Sequence, residues 1–490
     1  MRLAWLSPLP PLQSGIAAYS AEILPLLAES HEIDVFVDVG VPDRSGQLAW
    51  AAAQGWTLPP RLGSSREETL ASGRSATPAD ARLPPRLAAR SAHELLPLHD
   101  RQPYDLIVYQ VGNAACHDYV WPYALRFPGL LVLHDGTVHH ARARALLSRQ
   151  RVADYRAEFR ANHPEADPWL AEHAIVGAPG HHYYRWPMRR LLVEGARAVA
   201  VHGAWLAEDL RREHPEAEVM RLRMGVGRLG AVAPAEFAPG ALVVAAFGLA
   251  TSEKRLPVAL EAFAATFAGS PDTRFVIVGA APPHFDPEAE ARRLGIAAQV
   301  TLTGYVSEAD LGGWMLRADI CLCLRWPTSG ETSASWLRCL AAGRATVVSG
   351  LRHHLDVPSL DARTGAVMGE APDRRPAHEP EEAVCVSIDL VDEREALCQA
   401  YRRLASDRPF RERLGRNAAR HWQAAHTLAH MARDYEQAFA RAGARPARRR
   451  EDLPAHLTDE AAGLARAIVG HVGVEADVLA TRQPPPRPVS

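Results

Sequence analysis

Lys254 is the only lysine in a chain of 490 residues; the other basic side chains, of 55 Lys and Arg together, are all arginine. It lies in Phe247-Gly248-Leu249-Ala250-Thr251-Ser252-Glu253-Lys254-Arg255, where an apolar run ends in glycine and two cations precede a helical pattern. A phosphate pair held between Lys254 and Arg255 would gain charge-assisted hydrogen bonds. A compact ammonium meets phosphate as a point charge, a geometry that a planar guanidinium does not share. The plainer reading is a pair of solvated charges beside a turn.

Other segments have the same form. Arg325-Trp326-Pro327-Thr328-Ser329-Gly330-Glu331-Thr332-Ser333-Ala334-Ser335 directly follows another apolar run. A carboxylate at such a place, here Glu331, can accept hydrogen bonds from polyol hydroxyls, and the neighbouring backbone amides can hold an anion at the start of the next helix. Ser329 or Thr332 acting as a helix N-cap, with Glu331 in the first turn, explains the same residues structurally, and both readings can hold together. Leu133-His134-Asp135-Gly136-Thr137 also ends an apolar run. The His134 imidazole there can donate to a sugar oxygen or act as acid or base, or it can be structural. Ser14-Gly15 opens the first helical pattern, where small residues let amides approach an anion; an ordinary glycine-containing turn is the alternative. Tyr305 and Val306, after Thr303-Gly304, could flank a nucleobase or only cover a wall. The pairs His139-His140, His181-His182 and His353-His354 lack the ligand spacing of a zinc site, so no metal is expected.

These residues need strand ends to carry them. Short apolar, β-branched runs fall at 3–6, 34–37, 105–110, 130–134 and 198–202, then at 242–247, 274–278, 300–303, 320–324 and 346–348. They are continuous rather than alternating, as for strands covered on both faces, and helical patterns separate them. Ile16, Tyr19, Ile23, Leu26 and Leu27 trace one such helix face, and Leu256, Leu260, Phe263 and Phe267 another. The succession predicts an α/β fold with parallel sheets joined by right-handed crossovers. A stretch of Gly, Pro and Ala over 228–240 divides it. Two Rossmann-like domains, 1–232 and 233–408, are expected to face each other across a cleft. Residues 42–100, rich in Pro, Arg, Ala and Ser, read as a long insertion on the first domain. One long helical segment is expected at 409–442, crossing back towards the first domain, and 443–490 reads as an appendage or disordered tail.

Composition bounds the possibilities. At roughly 150 residues per domain the length suggests two or three domains. A formal net charge of −2 at pH 7 argues against a nucleic-acid footprint over the whole molecule. No apolar run approaches the ~18–20 residues of a membrane span, which leaves only peripheral membrane contact open. The opening Met1-Arg2-Leu3-Ala4-Trp5-Leu6 has too short an apolar core for a signal peptide and reads as a first strand. Six scattered cysteines without a CxxC motif point to reduced thiols and a cytoplasmic protein.

Together these loops resemble the retaining glycosyltransferases of family 4, which have the GT-B fold. The similarity covers roughly 1–440, apart from 42–100, and is strongest from Phe247 through Val348. It implies a hexosyl-type transfer from a nucleotide-diphosphate sugar to a hydroxyl acceptor: a polysaccharide, a lipid-linked glycan or a small molecule. Neither cofactor nor metal is implied. By the same resemblance Lys254 would contact the donor diphosphate, with Gly248 and Arg255 beside it, and Tyr305 with Val306 would line the base site. Glu331 would bind donor-sugar hydroxyls with the amides of Thr332 and Ser333, His134 would reach the sugar, and Ser14-Gly15 would lie near phosphate and acceptor. Two positions depart from the family. Leu249 stands where an Arg is usual, so Arg255 is expected to supply that charge. Arg338 or Cys339 stands where a second Glu is usual, and an arginine at 338 is expected to pair with Glu331 and orient it. The rival readings are another GT-B enzyme, such as a nucleotide-sugar epimerase or a glycosyl phosphorylase, and a non-catalytic sugar- or nucleotide-binding protein.

Overall fold

The structure is a computed structural model and describes residues 1–39, 46–58, 86–178, 180–230, 237, 240–283, 285–354, 356–368, 382–447, 450 and 452–458. Its first sheet holds β1 (Arg2–Leu6), β2 (Glu32–Val37), β3 (Leu87–Ser91), β4 (Leu106–Val111), β5 (Leu130–Leu133), β6 (Ala198–Val201) and β7 (Val219–Arg221). The strand order is β3-β2-β1-β4-β5-β6-β7, parallel throughout. The second holds β8 (Leu242–Phe247), β9 (Thr273–Val278), β10 (Val300–Leu302), β11 (Ile320–Cys323), β12 (Ala345–Ser349), β13 (Ser359–Asp361), β14 (Val367–Met368) and β15 (Cys385–Ile388). Its order is β10-β9-β8-β11-β12-β15-β13-β14, parallel except for β13 against β14. Both sheets reverse direction at their first strand, between β1 and β4 and between β8 and β11. Ligand crevices form at such switch points, outside the carboxyl ends of the strands.

The continuous apolar runs become strands buried on both sides. Leu3, Trp5, Ile33, Val35, Leu106 and Val108 pack into one core. The alternate residues Ala4, Leu6, Phe36, Ile107, Tyr109 and Val111 pack into another across the sheet. Every one of the ten runs lies in a strand or overlaps one. Helix α1 (Gly15–Leu27) follows β1 and is capped by Ser14, whose side chain accepts from the Ile16 N–H; loss of such a cap typically costs about 1 kcal/mol. Helix α2 (Leu256–Phe267) follows β8, and α3 (Ala334–Ala341) follows β11 with Ser333 as its cap.

The segment expected to be an insertion, 42–100, is in part integral to the fold. Its described residues form a helix, Gly46–Ala53, and supply β3, the edge strand hydrogen-bonded to β2; 59–85 lie outside the described residues, as does the expected domain boundary at 232/233. The single helix expected at 409–442 is two, α4 (Arg408–Ala425) and α5 (Leu428–Ala444). The chain breaks because the Thr427 side chain accepts from the His430 N–H and starts a new helix. Before the break, Trp422 Nε1 and His426 Nδ1 bind the carbonyls of Val226 and Met224. After it, α5 lies on the first sheet, with the Tyr435 ring 5.2 Å from Trp5 and its hydroxyl 2.7 Å from that of Tyr19. The start of the expected tail is docked. Arg450 pairs with Glu194 at 2.7 Å, His456 with buried Glu158 at 2.7 Å, and Leu457 enters the first domain's core. Residues 459–490 lie outside the description. All six cysteines are free thiols.

Candidate active site between the two sheets

A cleft of about 520 Å³ opens where the carboxyl ends of the sheets meet. Ser14, Gly15, His134 and Asp135 line it from the first domain; Lys254, Arg325, Glu331, Thr332 and Ser333 line it from the second. The domains touch at its floor, where the Gly136 N–H donates to the Ser329 carbonyl at 2.6 Å. A side chain at position 136 would stand 2.4 Å from that oxygen, so the contact requires glycine.

Lys254 reaches the cleft because two glycines let the backbone close up beneath it. Gly248 ends β8 at φ +93°, and Gly279 ends β9 at φ +148°. A Cβ at 279 would lie 2.2 Å from the Gly248 carbonyl oxygen, whereas one at 248 would lie 3.6 Å from the Lys254 Nζ. The ammonium makes no ion pair or hydrogen bond among the described residues. Burial, and then the nearby Arg325 guanidinium, lower its pKa to about 8, with Glu331 acting in the opposite sense. Gly279→Ala should therefore lower stability by about 1–3 kcal/mol through overpacking and shift the loop that carries Lys254. A lowered urea midpoint checks it; an unchanged midpoint would contradict the close approach.

Arg255 does not share the cleft. Its backbone is left-handed, φ +57°, and its guanidinium forks onto Glu393 at 2.5–3.1 Å. The second cation there is Arg325, whose Nε lies 2.7 Å from Glu331 Oε1. The other Glu331 oxygen accepts from the Thr328 hydroxyl at 2.9 Å and from the Ser329 N–H at 2.8 Å. Glu331 is thus held in one orientation before any ligand arrives. The expected Arg338–Glu331 pair is absent: Arg338 binds Glu22 on α1 and lies 2.8 Å from Glu308. Cys339, the other candidate for that position, is buried in the core behind the helix. Gly330, at φ +71°, packs against the Trp205 ring of the first domain.

On the facing wall, His134 is occupied at both ring nitrogens. Its Nε2 lies 2.7 Å from Gln110 Oε1 and its Nδ1 3.1 Å from His202 Nε2. Burial, followed by His202 and His117, pushes its pKa well below the usual range, so the imidazole is neutral. Asp135 is freer: its Oδ2 accepts from the Asn113 N–H at 2.7 Å, its single hydrogen bond among the described residues. Burial and the Glu331 carboxylate push its pKa up to about 7. Tyr305 is 62% exposed and Val306 packs on the core cluster around Phe247; neither lines this cleft, and Gly248 acts only beneath Lys254.

Sequence reasoning missed Asp135 and Arg325. Both stood in segments singled out for a neighbour, and the signal available was a charge within two residues of an apolar strand's end. What makes them partners, Glu331 and the opposite domain, is visible only in three dimensions.

Residues 239–374 match the family of glycosyl transferases group 1. Among solved structures the chain is similar to sucrose-phosphate synthase from Thermosynechococcus elongatus, at 16% identity over 90% of this chain and 98% of that one, TM-score 0.53. It is also similar to Anabaena HepE in complex with UDP and glucose, at 12% identity over 90% and 99%, TM-score 0.53. The fold is that of GT-B glycosyltransferases. A glycosyltransferase from Rickettsia africae matches at 10% identity over 90% and 98%, TM-score 0.55. No curated protein matches the chain. No helix of the described residues is long and apolar enough to cross a membrane.

Proposed function

We propose that this GT-B chain is a retaining, metal-independent glycosyltransferase of the family 4 type, working in the cytoplasm. It moves a hexosyl group from a nucleotide-diphosphate sugar to a hydroxyl acceptor. The observation that carries the reading is an ammonium without a counter-ion among the described residues, on the wall of an interdomain cleft. HepE, of the same fold, was solved with UDP and glucose, which supports a donor of this kind.

Each role follows from geometry. Lys254 faces the diphosphate, and the amides of Thr332 and Ser333 at the start of α3 add fixed positive charge, an arrangement that stabilises a leaving phosphate as its charge develops. Glu331, clamped by Arg325, Thr328 and Ser329, receives sugar hydroxyls without paying reorganisation at the moment of reaction. Ser14 and Gly15 bring a second helix start to the opposite side. The ionised Asp135 accepts a hydrogen bond from a second hydroxyl of the acceptor and so orients the reacting one, whose own proton stays free for the phosphate oxygen. The acceptor oxygen bonds to the anomeric carbon as the carbon–diphosphate bond breaks on the same face, and the acceptor proton passes to the departing phosphate oxygen. Neutral His134 serves as a fixed wall of the sugar pocket.

A thermal-shift screen with UDP-, GDP- and ADP-sugars should raise the Tm with at least one donor, because a ligand that binds only the folded state stabilises it. With that donor and an accepted sugar alcohol, proton NMR of the product should show the donor's anomeric configuration. An inverted product would remove the same-face route, and no stabilisation by any donor would remove the donor class.

A further inference from the structure

We infer a second anion site, selective for a phosphate group, on the far edge of the C-terminal domain. It goes beyond the transferase reading and does not depend on it. A concavity of about 740 Å³ lies at the amino ends of β8, β11 and β12, opposite to the edge that faces the cleft. Four arginines line it, Arg317, Arg344, Arg408 and Arg411, against two carboxylates, Asp319 and Glu412.

The carboxylates are already committed. Asp319 Oδ2 accepts from the Val243 N–H at 2.9 Å and lies 3.7 Å from Arg317, while Oδ1 is 4.0 Å from Arg411. Glu412 pairs with Arg408 at 2.7 Å in an exposed, same-helix contact of little strength. Arg411 also donates to the carbonyl of Leu404 at 2.5 Å. Arg344 alone has nothing: its guanidinium makes no hydrogen bond or ion pair among the described residues, and its Nε is buried from water without an acceptor. The terminal nitrogens of Arg344 are equally unpaired but, unlike Nε, not sealed from solvent, so in a wall of excess positive charge they are the donors left for an acceptor that comes from outside. A tetrahedral phosphate supplies several acceptor oxygens and up to two negative charges, which suits a guanidinium fork better than a carboxylate does. The non-polar floor of Leu242, Ala345 and Ala405 leaves room for the organic part of a phosphate ester.

The full-length protein can be titrated calorimetrically with inorganic phosphate and pyrophosphate, beside Arg344→Gln, Glu412→Gln and Lys254→Ala. The site predicts binding that survives Lys254→Ala, weakens at least tenfold in Arg344→Gln, and tightens severalfold in Glu412→Gln, which removes a competing charge. Circular dichroism checks that Arg344→Gln is folded, and the Glu412 variant keeps the test independent of it. Co-sedimentation with phosphatidylcholine vesicles, with or without phosphatidic acid, separates the two sources of a phosphate monoester. Capture that depends on both the acidic lipid and Arg344 assigns a headgroup; binding of free phosphate without capture assigns a soluble ester. Phosphate binding abolished by Lys254→Ala, or equal in Arg344→Gln and the native chain, would overturn the site.

Discussion

Lys254→Ala should reduce kcat/KM for the nucleotide-sugar donor by about 10²–10³-fold, the scale seen when one preorganised group opposite developing charge is removed. The size of the effect follows from the surroundings. The ammonium is half-buried on the cleft wall and makes no ion pair or hydrogen bond among the described residues, so its field is only partly screened by water and no carboxylate contact neutralises it. Leaving-group charge grows through the reaction, so the loss should fall more heavily on kcat than on KM. Lys254→Arg should restore only part of the rate. The loop packs over Gly248, whose Cβ position is already 3.6 Å from Nζ, and a planar guanidinium needs more room. Steady-state kinetics with the stabilising donor decide it; a kcat within threefold of the native value in Lys254→Ala would place the leaving group elsewhere.

Asp135→Asn should lower kcat by about 10²-fold, the scale on which a misplaced substrate loses rate, and should change the pH profile in a diagnostic way. In the native chain the Asp135 pKa is raised to about 7 and the Lys254 pKa is lowered to about 8. Activity requires the carboxylate and the ammonium together. The rate should therefore rise as pH increases through about 7, when Asp135 loses its proton. It should fall above about 8, when Lys254 loses its own. Plots of kcat/KM report these groups in the free enzyme. Asp135→Asn should abolish the acid limb and keep the alkaline one. A native profile that is flat between pH 6 and 9, or a variant that retains the acid limb, would assign no catalytic role to Asp135.

Much of the architecture was legible because burial on both faces leaves a simple trace: unbroken runs such as Leu242–Phe247 and Thr273–Val278. Two of the strands that escaped notice lack it, whereas β15 carries it over 383–388 inside its sheet and still went unread. β3 reads Leu-Ala-Ala-Arg-Ser and sits at a sheet edge, and β7 has three residues ending in an exposed arginine. The break between α4 and α5 was hidden because apolar spacing continues through it from Trp422 to Met431; the marker was Thr427, whose hydroxyl is a better cap than a helix interior residue. Lys254 could be found by its singularity. Arg338 could not be placed from spacing along α3, because its direction is set by Glu22 on another domain. Arg325 takes the contact with Glu331 from the loop before the helix, a pairing that helical periodicity does not describe.

The single lysine also gives the most direct measurement. Protein grown with lysine labelled at the ε-carbon yields one side-chain resonance, that of Lys254, which can be followed by NMR against pH and added nucleoside diphosphate. It should titrate near 8 in the free protein, and the bound diphosphate should move that midpoint upward by holding the proton on the ammonium. A resonance that titrates near the ordinary lysine value of about 10.4, and does not move with any nucleoside diphosphate, would contradict the account.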